Sequence, residues 1–116
     1  MRQNGRKSAA ALAIAAPVAS SVRRLAAPVH LSDAERAIWV ECVEDCPADA
    51  FSPSHAPLLE AYCRHVVRGR ILADEIEAFD RSWIADEDGL DRFDKLLKMA
   101  ERESRAASSL SCSLYA

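Results

Sequence analysis

The spacing of apolar residues between positions 62 and 83 constrains the fold of this chain more than any other feature. These residues recur at steps of three and four, and a seven-residue repeat runs through Tyr62, Gly69, Ile76 and Trp83, with Leu72 and Phe79 at intervening positions. An α-helix with such a repeat carries one apolar stripe that packs against another helix. The sequence therefore predicts one long helix here, and no segment shows the alternation typical of a β-strand.

A shorter helix is predicted before this one. Ser32 and Glu35 have the spacing of a capping box, in which each side chain accepts a hydrogen bond from the backbone N–H of the other residue. The helix is expected to end at Cys46, because a residue before proline is pushed out of the α region. Its apolar side is formed by Ile38, Trp39, Cys42 and Val43.

Two further boundaries complete the helical prediction. Ser54 is expected to cap the long second helix, with Pro57 in its first turn. Residues 85–89 are interpreted as a polar turn, with Asp88 capping a third helix that begins near Gly89 or Leu90. Apolar residues at helical spacing continue the third helix: Leu90, Phe93, Leu97, Ala100 and Ala107. The predicted fold is all-α, with a short N-terminal helix followed by a long antiparallel helical hairpin.

The net charge of −3 divides unevenly along the chain. Residues 1–30 carry five basic residues and no acidic one, whereas residues 31–116 carry ten basic and eighteen acidic residues. We interpret residues 1–30 as a basic arm that is disordered when alone and binds phosphates, and residues 31–116 as the helical domain. The predicted DNA-binding residues are Arg2, Arg6, Lys7, Arg23 and Arg24.

The N-terminus is also open to a different interpretation. Residues 1–22 resemble a secretory signal peptide, which would place the four cysteines in an oxidising compartment where they could pair. The apolar run is mostly alanine, however, and it is interrupted by Pro17 and followed closely by Arg23 and Arg24. The arm is therefore the preferred interpretation. Apart from the alanine-rich N-terminus, no stretch of about 18 residues is apolar and uncharged, so no membrane span is predicted and a cytoplasmic protein is expected.

Neither the cysteines nor the histidines form a recognisable reactive or metal-binding motif. Cys42, Cys46, Cys63 and His65 supply four potential ligands, but they lack the paired spacing of a zinc site. We predict reduced, packed thiols, no metal, no cofactor and no enzymatic activity. Arg64, Arg68 and Arg70 form a second basic cluster on the long helix, which is interpreted equally well as a solvated face.

Three segments in a fixed order give the chain a family resemblance. They are LSDAERAIW (31–39), FSPSHAPLLEAYCRH (51–65) and GLDRFDKLLKMAERESRAASSL (89–110), preceded by Arg6-Lys7-Ser8-Ala9-Ala10 and Pro28. This order resembles the small subunits of tailed-bacteriophage terminases, over nearly the whole chain. Its most specific elements are Leu31-Ser32 with Glu35 and Trp39, Pro57-Leu58-Leu59 with Tyr62, and Glu103-Ser104-Arg105.

The resemblance implies a non-catalytic DNA-packaging subunit. Such a subunit recognises the packaging site on double-stranded viral DNA, forms a ring-like homo-oligomer and recruits or regulates the large subunit, which holds the ATPase and nuclease. The apolar faces exceed what one small hairpin can bury, so we expect an oligomer interface. Its predicted residues are Tyr62, Leu72, Ile76, Phe79, Trp83 and Leu97.

The sequence leaves two functional points open. The chain departs from the family after position 110, where Ser111-Cys112-Ser113-Leu114-Tyr115-Ala116 replaces a basic, leucine-containing stretch, and this puts engagement of a large subunit in doubt. The alternative function is a helical adaptor whose acidic body binds a protein partner and whose arm only increases solubility.

Overall fold

The computed structural model describes residues 23–115. This part of the chain contains three α-helices: α1 (Asp33–Glu44), α2 (Ala56–Ala78) and α3 (Glu87–Leu114). Short 3-10 turns, Pro53–His55 and Arg81–Ala85, precede α2 and α3. Residues 23–115 contain no β-strand, so the predicted all-α class is confirmed. Arg2, Arg6 and Lys7 of the predicted arm lie outside the described residues.

Helix α1 begins with the predicted capping box. The Ser32 Oγ accepts a hydrogen bond from the Glu35 N–H at 3.1 Å, and the Glu35 carboxylate accepts one from the Ser32 N–H at 2.9 Å. The helix ends at Glu44, two residues before the predicted end at Cys46. The side chain of Arg24 donates hydrogen bonds to the carbonyl oxygens of Val43 and Cys46, at 2.9 and 3.2 Å. The first of these carbonyls lies in the last turn of α1, where it has no partner within the helix.

The start of α2 differs from the prediction, because Ser54 does not cap the helix. A 3-10 turn comes first, in which the Ser52 N–H donates to the Nδ1 atom of His55 at 3.0 Å. The Ser54 hydroxyl is hydrogen-bonded to the Ser52 hydroxyl at 2.7 Å. Helix α2 begins at Ala56 with Pro57 in its first turn, as predicted for the proline.

The prediction that one helix extends to Trp83 is wrong, because α2 ends at Ala78. Phe79 is extended, and the Asp80 carboxylate accepts a hydrogen bond from the Ser82 N–H at 2.9 Å, which starts the 3-10 turn that contains Trp83. The connection between the long helices therefore lies at residues 79–86 instead of 85–89. Helix α3 already begins at Glu87, so Asp88 lies within its first turn and does not cap it.

The two long helices run antiparallel. Phe79 near the end of α2 packs on Phe93 near the start of α3, with ring centroids 5.1 Å apart. His65, earlier in α2, pairs with Glu103, later in α3. Residues later in α3 thus contact residues earlier in α2, which is the arrangement of the predicted antiparallel hairpin. Helix α1 packs against α2 near the open end of this hairpin.

The hydrophobic core lies where α1, the first half of α2 and the end of α3 meet. Its most enclosed side chains are Trp39, Leu59 and Cys63, each no more than 1% exposed. The other core residues are Leu31, Ile38, Val43, Phe51 and Leu114. The C-terminal segment is therefore part of the fold, because residues 111–114 continue α3 and Leu114 is buried.

The residues before α1 also belong to this core. The indole N–H of Trp39 donates a hydrogen bond to the Leu25 carbonyl oxygen at 2.8 Å, and Leu25 and Ala27 pack against the buried cluster. Leu25 and Ala27, which the sequence assigned to the arm, therefore pack against the domain, and packing begins before the predicted boundary at residue 30.

Candidate interaction surface on the helical hairpin

Beyond the core, α2 and α3 pack on each other, and the Arg81–Ala85 turn packs on α3. In residues 68–110 of the described chain no large side chain is buried, and Gly89 is the only buried residue. Ile71 is 56% exposed, Leu97 44% and Met99 39%. Two helices form a single layer that leaves both of its sides accessible, so apolar side chains of both helices remain in contact with solvent.

One side of this layer carries a groove between the two helices. Its first part has a volume of about 380 Å³ and is lined by Arg68, Ile71, Leu72, Met99, Arg102 and Glu103. A second part shares Met99, has a volume of about 380 Å³, and is further lined by Glu75, Phe79, Trp83, Arg92, Lys95 and Leu96. We call these two parts together the basic groove. Six of its twelve lining residues have apolar side chains, and four are basic.

The cations of the basic groove lack acidic partners. Among the described residues, Arg68, Arg92, Lys95 and Arg102 form no ion pair, whereas Lys98 just outside the groove pairs with Asp94 at 2.9 Å. The guanidinium of Arg92 lies over the rings of Phe79 and Trp83, at 5.9 and 5.7 Å from their centroids. Such a position favours the cation electrostatically and leaves its charge available to a partner.

Two carboxylates also line the groove, and one of them is engaged. Glu103 pairs with Nδ1 of His65, which joins the middle of α2 to α3. Glu75 forms no ion pair among the described residues. With four basic residues against Glu75 and the paired Glu103, the groove has an excess of positive charge.

The structure divides the predicted oligomer residues among different environments. Leu72, Phe79 and Trp83 line the basic groove. Ile76 lines a separate depression with Phe93, and Leu97 is exposed outside the basic groove. The sixth residue, Tyr62, packs against the hydrophobic core.

The sequence reasoning missed Ile71 and Met99, because neither belongs to the repeat that it followed. Arg92, Lys95, Met99 and Arg102 are spaced three and four apart on α3, a signal that could have placed them together. That these α3 residues lie opposite Ile71 of α2 depends on how the two helices pack.

The described basic residues of the predicted arm are placed differently from each other. Arg23 is exposed, whereas Arg24 donates hydrogen bonds to the end of α1. The second predicted basic cluster is divided as well. Arg64 pairs with Glu60, Arg68 lines the basic groove, and Arg70 lines another depression.

The outer side of α1 carries the opposite charge. Ile38, Trp39 and Val43 face the core, so residues on the other side of the helix are exposed. Ala37 and Val40 form a small apolar strip there, and Val40 is 39% exposed. We call this surface the acidic face; its exposed residues are Asp33, Ala37, Val40, Glu41 and Glu44.

The four cysteines are free thiols. Cys63 is buried, and burial raises its pKa to about 12. Burial also raises the pKa of Cys42. A raised pKa disfavours the thiolate, which is the form that binds metals and reacts with electrophiles. Within residues 23–115, no three or more His, Cys, Asp or Glu side chains are grouped as metal ligands.

None of the helices in the described range is both long enough and apolar enough to span a membrane. No model of a protein family matches the chain, no curated protein is significantly similar to it in sequence, and no solved structure is significantly similar to it in fold.

Proposed function

We propose that this chain is a non-catalytic, oligomeric DNA-binding subunit of the terminase small-subunit type. It would bind double-stranded viral DNA at a packaging site in the host cytoplasm and recruit or regulate a large subunit that holds the ATPase and nuclease. The proposal is supported by the sequence of the chain, in which the segments that resemble the family follow one another in the same order. It is also supported by an all-α fold in which two long helices leave an accessible apolar surface.

The exposed apolar residues of the hairpin carry the oligomeric part of the proposal. Ile71, Leu97 and Met99 are each at least 39% exposed, although they lie in the middle of long helices. Transfer of a large apolar side chain from water to a packed interface contributes about 1.5–3 kcal/mol when burial is complete. Association would therefore supply stability that the isolated hairpin lacks.

The distribution of charge supports a DNA contact through the N-terminal residues. The chain after residue 30 carries eight more acidic than basic residues, so it repels a polyanion on average. Arg2, Arg6, Lys7 and Arg23 precede this acidic part, and Arg24 is engaged at the end of α1. Four phosphate contacts give a slope of about −4 in a plot of log affinity against log salt concentration.

A gel-shift or fluorescence-anisotropy titration on double-stranded DNA at two or more salt concentrations tests this contact. The full chain with Arg2, Arg6, Lys7 and Arg23 changed to Gln is expected to lose most of its affinity and most of the salt slope. The control variant changes four basic residues outside the arm to Gln: Arg64, Arg81, Lys98 and Arg105. Equal affinity and slope in wild type and arm variant would refute DNA binding by the arm.

The basic groove favours a second candidate, a protein-interaction module that does not bind DNA. In that case the groove would receive another protein and the arm would only increase solubility. Light scattering and the same DNA titration distinguish the two candidates. A monomer without measurable DNA affinity supports the adaptor, whereas a DNA-binding oligomer supports the terminase-type subunit.

A further inference from the structure

We infer that the basic groove of one copy receives the acidic face of α1 from a second copy, so that copies of the chain associate head to tail. This inference rests on the oligomeric part of the proposed function and specifies the two surfaces that meet. Both surfaces lie on described residues, and the inference does not involve the arm.

The two surfaces match in chemistry. The basic groove has an apolar floor that includes Ile71 and Met99, with Arg68 and Arg102 beside it. The acidic face has the small apolar strip of Ala37 and Val40. Its carboxylates are Asp33, Glu41 and Glu44. A helix that lays an apolar strip into a groove, with opposite charges along the edges, is a common mode of recognition.

The charges on both surfaces are available for a partner. Among the described residues, neither the four cations of the basic groove nor Glu41 and Glu44 form an ion pair. Between Asp33 and Asp45 the chain has five carboxylates and only one basic residue, Arg36. The guanidinium of Arg36 donates hydrogen bonds to the carbonyl oxygens of Pro28 and Val29, so it is held away from the carboxylates.

The acidic face must come from another molecule. Trp39 and Val43 on the opposite side of α1 are buried against the core, so the acidic face points away from the hairpin of its own chain. The basic groove begins at Arg68 on α2, after the core residue Cys63, and extends away from α1. Because α1 is fixed by its buried side, it cannot turn its acidic face into this groove without leaving the core.

The groove also suits an acidic helix better than a nucleic acid. Ile71, Leu72 and Met99 would face the phosphates of a bound duplex without satisfying them, and Glu75 would repel them. An amphipathic helix instead buries the apolar floor and pairs with the cations. Each copy would use its acidic face once and its groove once, a heterologous contact that forms a closed ring or an open helical assembly.

Two charge-reversal variants test the inference by sedimentation velocity over a range of concentrations. Glu41→Lys with Glu44→Lys alters the acidic face, and Arg68→Glu with Arg102→Glu alters the groove. Each variant alone is expected to raise the dissociation constant for self-association by about tenfold or more. The control, Asp74→Lys with Glu77→Lys, applies the same reversal to α2 outside the basic groove and is expected to retain wild-type association.

Complementation provides the decisive measurement. An equimolar mixture of the two variants is expected to associate again. The reversed α1 face of the first variant pairs with the reversed groove of the second, and the native acidic face of the second pairs with the native groove of the first. All four reversals combined in one chain should restore association as well. Helical circular dichroism and thermal unfolding establish that each variant is folded.

Failure of complementation between folded variants would overturn the inference. The same holds if the groove variant weakens association and the acidic-face variant does not, because that result indicates that two grooves face each other. A monomeric wild-type chain also overturns it. Failure to bind DNA is a separate result. The DNA titration can fail while the complementation succeeds, and in that case the head-to-tail contact is supported without the proposed DNA function.

Discussion

The first turn of α3 crosses the backbone of Trp83 so closely that a β-carbon built at Gly89 lies 1.8 Å from the Trp83 carbonyl oxygen. No real contact is that short, and the nearest obstacle is backbone instead of a side chain that could move aside. Glycine is therefore required at this position for a close approach of two segments. This contact positions the connection between α2 and α3.

Replacement of Gly89 by alanine is expected to destabilise the fold by at least about 1–3 kcal/mol, the range found when extra atoms are forced into a packed site. Urea unfolding monitored by circular dichroism measures the change. Gly69→Ala is the matched control, because its β-carbon would lie 3.9 Å from the Glu103 β-carbon, an ordinary contact. That control is expected to gain about 0.5–1 kcal/mol from helix propensity. Equal stability of both variants would show that the close approach is not rigid.

Leu114 is 7% exposed and lies in the core, which predicts a structural role for the end of α3. Leu114→Ala is expected to lower the free energy of unfolding by about 2–5 kcal/mol through lost burial and a residual cavity. Leu97→Ala, on the same helix but 44% exposed, is expected to change stability by less than about 1 kcal/mol in the monomer. Chemical denaturation of both variants at a concentration below self-association makes the comparison. A neutral Leu114→Ala would refute the role of the C-terminal segment in the core.

The capping box of α1 predicts a pH dependence of stability. Hydrogen bonds from Ser32, with the backbone N–H the largest contribution, lower the pKa of Glu35 below its ordinary value of 4.5. A carboxyl with a lowered pKa in the folded state adds stability above its unfolded pKa, and this stability is lost as the pH falls through the folded pKa.

We therefore expect Glu35→Gln to be less stable than wild type at pH 7, with a difference that shrinks as the pH falls below 4.5. Thermal unfolding at pH 7 and at several acidic values measures it. Glu41→Gln, which has no capping bond, is the control. A difference between wild type and Glu35→Gln that stays constant down to pH 2 would contradict the electrostatic contribution of the cap.

The burial of the thiols predicts their reactivity. Cys112 is exposed, whereas Cys63 is buried with a pKa raised to about 12. In the native protein near pH 8, Cys112 is expected to react first with a disulfide reagent, and Cys63 only at the rate of unfolding. Peptide mapping of the labelled protein with time identifies each site, and denatured protein provides the reference rate. Rapid labelling of Cys63 in the native state would show that the core opens locally.

Features that depend on neighbours within four residues were predictable. The capping box at Ser32 and Glu35 is present as expected, and the helical spacing identified α1, α2 and α3. The end of α2 was not predictable in the same way, because the apolar repeat continues through Phe79 and Trp83 into the 3-10 turn. At that point the Asp80 carboxylate accepts a hydrogen bond from the Ser82 N–H, which starts the turn. Because apolar residues occur in turns as well as in helices, their spacing did not show where the helix ends.

The candidate interaction surface was likewise predictable only in the properties that depend on local sequence. The sequence alone determined that the chain is helical, that its apolar repeat needs a partner helix and that α1 is acidic, because these properties follow from spacing and charge along one segment. Only the tertiary structure decided that Arg24 binds the end of α1 and that Arg68 of α2 lines one groove with Arg102 of α3. The residues brought together are about twenty to thirty-four positions apart in the sequence, and their arrangement depends on how the helices pack.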